Sequence, residues 1–215
     1  MQSNFSSNGT RTMKKPIRIA IQQKGRLREG SIAFLQSMGL RCAFENEREY
    51  IVPCEGGRVE ILCVRNGDIP KYIEFGAADY GIVGENILHE HEQDADVTIA
   101  KKLGFGSCRV VIAVPNGSSI RRVSDLQGER IATSYPNTLK KFLMKHRIDA
   151  SIIEIQGKVE VTPRLGLADA ICEIVQTGRT LEENNLIEIE KILNSQAVLI
   201  QSPSIMRQSI FDTLL

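Results

Sequence analysis

The chain has 215 residues, 42% of them hydrophobic and 25% charged, enough for one large or two small globular units, each with a real core. A formal net charge of +1 leaves no global field to gather nucleic acid or an anionic membrane, and no run of about 18 apolar residues offers a membrane-spanning helix. Five cysteines, odd in number and without CxxC spacing, read as reduced, buried small hydrophobes of a cytoplasmic protein rather than as a metal site.

Residues 1–15 are rich in Ser and Asn, lack the apolar stretch of a secretory signal, and read as a disordered extension. Short Val- and Ile-rich runs then predict strands at 17–21, 58–64, 80–83, 110–114, 130–133, 151–155 and 198–201. Between them lie helical patterns. Residues 28–38 place Ile32, Leu35 and Met38 on one face, with Gly39 as the stop. Residues 68–75 carry Pro70 early, and 138–146 put Leu139, Phe142 and Leu143 together. Helical spacing also fits 162–168 and 170–176, although the apolar run 170–175 suits a strand equally well. Alternating strands and helices imply an α/β fold with mixed, mainly parallel sheets, whose ligands gather at the carboxyl ends of strands. Glycines at 104 and 106, and the polar stretch Glu183-Asn184-Asn185, suggest two crossings between lobes. The expected division is 16–107 with 186–215 as one lobe, and 108–185 as the other, with a cleft between.

Several strand ends carry chemistry. In Gln176-Thr177-Gly178-Arg179-Thr180 the glycine permits positive φ, and successive backbone N–H groups plus hydroxyls suit a phosphate; a plain capped turn would look the same. Asp169 and Glu173 precede that turn at distances suited to a ribose diol. Lys24-Gly25-Arg26, after the first strand, offers a point charge and a fork for a diphosphate or triphosphate, or is an ordinary solvated turn. Arg65 ends an apolar strand, whereas Arg48 lies among acids that invite surface ion pairs. Thr133-Ser134-Tyr135 before Pro136 suits an anion, a stacked base, or simple helix capping.

In their order along the chain, these segments resemble the ATP phosphoribosyltransferase family, from about residue 17 to 201. The stretch 160–181 is similar to its signature: Glu160, five residues, Gly166, then Ala168-Asp169, a hydrophobic stretch, and Thr177-Gly178-Arg179-Thr180-Leu181. Lys24-Gly-Arg-Leu, Arg65 with Asp68-Ile-Pro, Ala78-Asp-Tyr-Gly-Ile-Val-Gly, Gly104-Phe-Gly-Ser-Cys-Arg and Arg130-Ile-Ala-Thr-Ser-Tyr-Pro follow the family in sequence. Glu173 stands where the family usually has Asp.

The resemblance implies a two-lobe fold like the type II periplasmic binding proteins, and transfer of phosphoribosyl from 5-phosphoribosyl 1-pyrophosphate to N1 of ATP, the first step of histidine biosynthesis. It implies that Glu160, Asp169, Ala170, Glu173, Thr177, Gly178, Arg179, Thr180 and Leu181 bind the phosphoribosyl donor. It makes Lys24, Arg26, Arg48 and Arg65 catalytic and ATP-binding residues, with Tyr135 assisting ATP. Mg²⁺ is implied on the diphosphate, with no dedicated protein metal site. A homodimer is implied, and for a natural short form a hetero-octamer with a histidyl-tRNA-synthetase-like regulatory subunit; a truncated long form is the other option. The competing readings are a ligand-capture module of the same two-lobe architecture and a phosphoribosyltransferase acting on another base.

Overall fold

In the computed structural model the described residues are 15–44, 49–91 and 96–203; the extension expected at 1–15 lies almost wholly outside them, as does Arg48. In chain order the strands are β1 (Ile17–Gln22), β2 (Ile51–Cys54), β3 (Val59–Val64), β4 (Tyr80–Gly84), β5 (Thr98–Lys102), β6 (Cys108–Pro115), β7 (Arg130–Thr133), β8 (Ser151–Glu154), β9 (Ala170–Val175), β10 (Leu186–Ser195) and β11 (Ala197–Gln201). The helices are α1 (Arg28–Ser37), α2 (Ile69–Glu74), α3 (Glu85–Glu90), α4 (Pro136–His146) and α5 (Arg179–Glu183).

The strands form two sheets, ordered β2-β3-β1-β4-β11-β5 and β10-β6-β9-β7-β8. Both are mixed. Among the described residues four pairings are parallel and five antiparallel, fewer parallel ones than the strand–helix alternation suggests. The central strands are covered on both faces. In β1, Ile19 and Ile21 enter one core cluster while Ala20 enters another. In β6, Val110, Ile112 and Val114 face one cluster, and Val111 and Ala113 the other. A strand buried on both faces loses the apolar–polar alternation. That is why residues 170–176 also fit a helical pattern; residues 170–175 are strand β9. The helix expected at 162–168 is a run of turns, where Pro163 begins the segment and Gly166 takes φ +69°.

The chain crosses between the sheets twice, at residues 103–107 and at Gln196. The crossings are tied together: Leu103 N donates to Ala197 O at 3.0 Å, and Ala197 N to Phe105 O at 2.9 Å. The second crossing comes later than the sequence suggests. Leu186–Ser195 pairs antiparallel with β6, so these residues belong to the second sheet, and only β11 returns to the first. A polar stretch at 183–185 marks a turn but does not reveal which sheet the next strand joins.

A seam joins the two halves. Glu90, at the end of α3, is 6% exposed. Its carboxylate oxygens accept from Asn137 N and Thr138 N, each at 2.8 Å, so an acid from one half fills the N-terminus of α4 in the other. The anion site read at that helix start is therefore occupied from within. Nearby, Ser195 Oγ donates to Asn86 Oδ1 at 2.9 Å.

One reading of the cysteines is corrected. Cys42 and Cys54 form a disulfide across an isolated antiparallel bridge, with Cα atoms 4.4 Å apart. A separation of 12 residues carries no signal of that bridge. Cys63, Cys108 and Cys172 are free and buried, and burial pushes the Cys172 thiol up to about 12.

Candidate functional site

A cavity of about 260 Å³ opens where β9 ends and the loop before α5 begins. Glu160, Glu173, Gln176, Thr177, Gly178 and Thr180 line it on the second-sheet side, and Arg26 reaches it from the first. Gly178 is the N-cap of α5 with φ +94°, a left-handed conformation that side chains resist, so the turn at this point requires glycine. The turn leaves Thr177 and Thr180 at the rim, and Leu181 closes the floor at 6% exposed.

Arg26 follows β1 in the loop to α1. Its Nη1 donates to the carbonyl of Gly106, in the first crossing. Its Nη2 passes so close to Gly84 that a Cβ there would stand 3.2 Å from it and 2.4 Å from Asn86 Oδ1; glycine is what the approach allows. One guanidinium thus links the end of β1, the end of β4 and the crossing, and still faces the cavity.

Glu173 gives the cavity its character. It lies third from the end of β9, on the face shared with Ile171 and Val175. Burial pushes its carboxyl up to about 7, Glu160 adds like-charge repulsion, and the backbone N–H of Ile174, donating to Oε1 at 2.7 Å, only partly offsets this. At neutral pH Glu173 is therefore half-protonated, in a cavity it shares with Glu160 and an arginine.

Other expected residues lie elsewhere. Asp169 precedes β9, on the same face as Glu173 but roughly 13 Å further down the strand. Its carboxylate takes Arg130 Nη2 at 2.8 Å, with Arg130 Nε and N each at 3.0 Å, and these bonds hold it well below the usual carboxylate range. It braces β7 against β9 instead of lining the cavity. Ala170 is fully buried at that same far end. Arg179 is exposed and pairs with Glu183, Nε to Oε1 at 2.7 Å. Tyr135 is 8% exposed, packed among first-sheet residues such as Ala20 and Ile69, and its hydroxyl accepts from Asn86 Nδ2 at 3.3 Å. Burial and the nearby Glu173 raise its pKa. It spans the seam beneath the cavity and presents no open ring for stacking. Lys24 and Arg65 are exposed at the carboxyl ends of β1 and β3, outside the cavity lining. Arg48 lies outside the described residues.

Cys108, in the cavity lining, and the seam acid Glu90 are additions that residue-by-residue reading did not single out. Glu90 left one trace: an acid in the last turn of a helix opposes the macrodipole, which points to a partner elsewhere.

Comparison with known proteins adds to the geometry. Residues 65–215 match the family model HisG, ATP phosphoribosyltransferase. An ATP phosphoribosyltransferase from Maricaulis maris (strain MCS10) is 42% identical over 196 residues, covering 89% of this chain and 66% of that protein, so the chain spans just under two thirds of that relative's length. Among solved structures, an ATP phosphoribosyl transferase (HisG:HisZ) complex from Thermotoga maritima aligns with TM-score 0.76 and 30% identity over 92% of this chain and 93% of its own. A protein from Xanthomonas citri bound to ATP, XAC2383, aligns with TM-score 0.61 at 15% identity over 94% of this chain and 81% of its own, a likeness of fold alone.

Proposed function

The chain belongs to the ATP phosphoribosyltransferase family, and from that premise we propose that it joins the phosphoribosyl group of 5-phosphoribosyl 1-pyrophosphate to N1 of ATP, releasing pyrophosphate. The observation that carries this reading is the meeting of Arg26, two carboxyl groups and the Thr177–Thr180 turn around one cavity.

In this reading the backbone N–H groups and hydroxyls of the 177–180 turn hold the 5′-phosphate, with Leu181 beneath. Glu160 and Glu173 accept hydrogen bonds from the ribose hydroxyls. Adenine N1 forms its bond to the anomeric carbon as the bond from that carbon to the pyrophosphate oxygen breaks, and the electron pair leaves with pyrophosphate. Arg26 sits where negative charge gathers on that leaving group. A fixed guanidinium in a partly dry cavity stabilises the transition state without reorganising. Aligning the two substrates supplies much of the remaining acceleration, and no covalent nucleophile is required. Lys24 and Arg65, on neighbouring strand ends, would attract the triphosphate from solution.

Among the described residues no group of three or more His, Cys, Asp or Glu is arranged to hold a metal ion. Glu160 and Glu173 nevertheless fit a Mg²⁺ ion carried in on the diphosphate, because that ion keeps most of its waters and takes one or two carboxylates. When bound, it neutralises charge on the leaving group. A regulatory subunit of the HisZ kind is the partner this reading implies, alongside self-association into a dimer. The substrates are intracellular metabolites, which supports a cytoplasmic place, and no helix among the described residues is long and apolar enough to cross a membrane.

The test is direct. The protein is mixed with ATP, the phosphoribosyl donor and Mg²⁺, with and without a HisZ-type subunit, and absorbance near the adenine band is followed. A rise that depends on both substrates is expected. Ligand binding without turnover in either arm would overturn the enzymatic reading in favour of a capture module.

A further inference from the structure

The loop from β1 to α1 is built around one side chain. Gln22 is the last residue of β1, and its half-buried amide folds back beneath the loop that follows. Its Oε1 accepts from the backbone N–H of Leu27 at 3.0 Å. Its Nε2 fills the inner side of Gly25, 2.7 Å from where a Cβ on that glycine would stand. Gly25 also takes φ +110°, so neither the conformation nor the space admits a side chain there. The carbonyl of Gly25 in turn accepts from Arg28 N at 3.2 Å, which closes the turn into α1.

These two contacts bracket Arg26. The N–H of Leu27 belongs to the peptide that follows Arg26, and the carbonyl of Gly25 belongs to the peptide that precedes it. One amide therefore holds the backbone on both sides of the arginine. Beyond it, Leu27 is fully buried and packs so closely on Gly106 that a Cβ there would stand 2.3 Å from Leu27 Cδ2. The guanidinium is thus fixed at its far end by the Gly106 carbonyl and at its root by Gln22. A backbone swing of about 10° at the root of an arginine moves its guanidinium by about 1 Å, and a misplacement of that size costs on the order of ten- to a hundredfold in rate. We propose that Gln22 is a positioning residue for the transfer: its amide fixes the two peptides flanking Arg26 and thereby aims the guanidinium at the leaving pyrophosphate. This role rests on the leaving-group role of Arg26 proposed above. Gln22 is not among the residues that line the cavity, so its effect reaches the reaction through Arg26. An amide suits the place because it accepts the hydrogen bond without adding a negative charge beside the diphosphate.

Two variants disturb the amide differently. Q22M keeps the length of the side chain and removes the acceptor, whereas Q22N keeps the amide but falls one methylene short. In the assay above, with the HisZ-type subunit present, each is expected to lower kcat by about tenfold, to leave KM for either substrate within about twofold, and to melt as cooperatively as the parent. A double-mutant cycle with R26A separates aiming from mere support of the fold. In the R26A background Q22M is expected to cost less than about twofold more, because the group it aims is gone. Inorganic pyrophosphate, followed by isothermal titration, is expected to bind about threefold more weakly to Q22M than to the parent, with no further weakening when Q22M is added to R26A. An unchanged kcat in both variants, or the same tenfold loss with and without Arg26, would refute the positioning role and leave the role of Arg26 standing. Loss of cooperative melting in both variants would make Gln22 a structural cap and likewise end the proposal. An unchanged kcat in R26A would instead overturn the leaving-group role, and the positioning role with it. If no arm turns over, the pyrophosphate titration decides, and undiminished binding by Q22M counts against the proposal.

Discussion

Asp169, just before β9, and Glu173, within it, are acids four residues apart on one face, and they have opposite fates. Asp169, at the start, lies in a fork of Arg130 and is held ionised by it. Glu173, near the end, faces a cavity that contains a second acid, and its proton is retained up to about pH 7. Asp169 uses its charge to fix one strand against another. Glu173 keeps its hydrogen-bonding capacity for something that enters from outside. A perturbed carboxyl group without a committed cation partner, inside a cleft, is the stronger functional signal.

The largest effect that would sharpen this contrast lies across the cavity from Glu173. Arg26→Ala is expected to lower kcat/KM by about 2–4 kcal/mol of transition-state stabilisation, most of it in kcat, measured by steady-state kinetics with both substrates varied. An unchanged kcat would remove Arg26 from the leaving-group role and with it much of the case for this end of β9.

Glu173→Gln is expected to slow turnover while stabilising the fold. Between about pH 4.5 and 7 the native chain keeps a proton on Glu173 that the unfolded chain has released, so the native state binds more protons and stability falls as pH rises through that window. Above pH 7 the loss amounts to about 3 kcal/mol, and the glutamine variant escapes it. Urea melts at pH 5 and pH 8 should therefore show the variant gaining over the parent mainly at pH 8. An equal gain at both pH values would mean that the carboxyl titrates normally.

Glu90→Gln tests whether charge at the seam matters as it does on β9. Glutamine keeps one acceptor for Asn137 N or Thr138 N but loses the anion at the α4 N-terminus, so stability should drop by about 1–2 kcal/mol in the same assay. The smallest effect belongs to the far end of the strand: Asp169→Asn should leave kcat/KM for the phosphoribosyl donor within about twofold, because the side chain lies outside the cavity. A loss of a hundredfold there would erase the distinction between the two acids.

Much of the site was legible in local pattern. The turn 176–181 announces itself through Gly178 between two hydroxyl residues, directly after an apolar run. Arg26 announces itself by following the first strand with a glycine beside it. Glu173 is legible through its distance from the 176–181 turn, and Glu160 enters through the family resemblance. Asp169 was misplaced because sequence spacing shows that it shares a face with Glu173 but not that an arginine on β7 claims it. Thr133-Ser134-Tyr135 fits an anion, a stacked base or simple capping by sequence, and the structure packs the Tyr135 ring in the core of the other half. The sequence places 186–215 with the first lobe, yet Leu186–Ser195 pairs with β6 of the second sheet, a partner chosen by sheet geometry.

By itself the sequence determined the α/β alternation, the positions of most strands, the crossing at residues 103–107 and the order of the family's motifs. These depend on side-chain period and on turn chemistry, which act over a few residues. Only the tertiary structure decided which of those motifs meet. Arg26 reaches a carbonyl 80 residues away, Glu90 caps a helix 47 residues on, and Cys42 finds Cys54 across a bridge. Such contacts follow from strand order and register, which set distances between segments that no local pattern encodes.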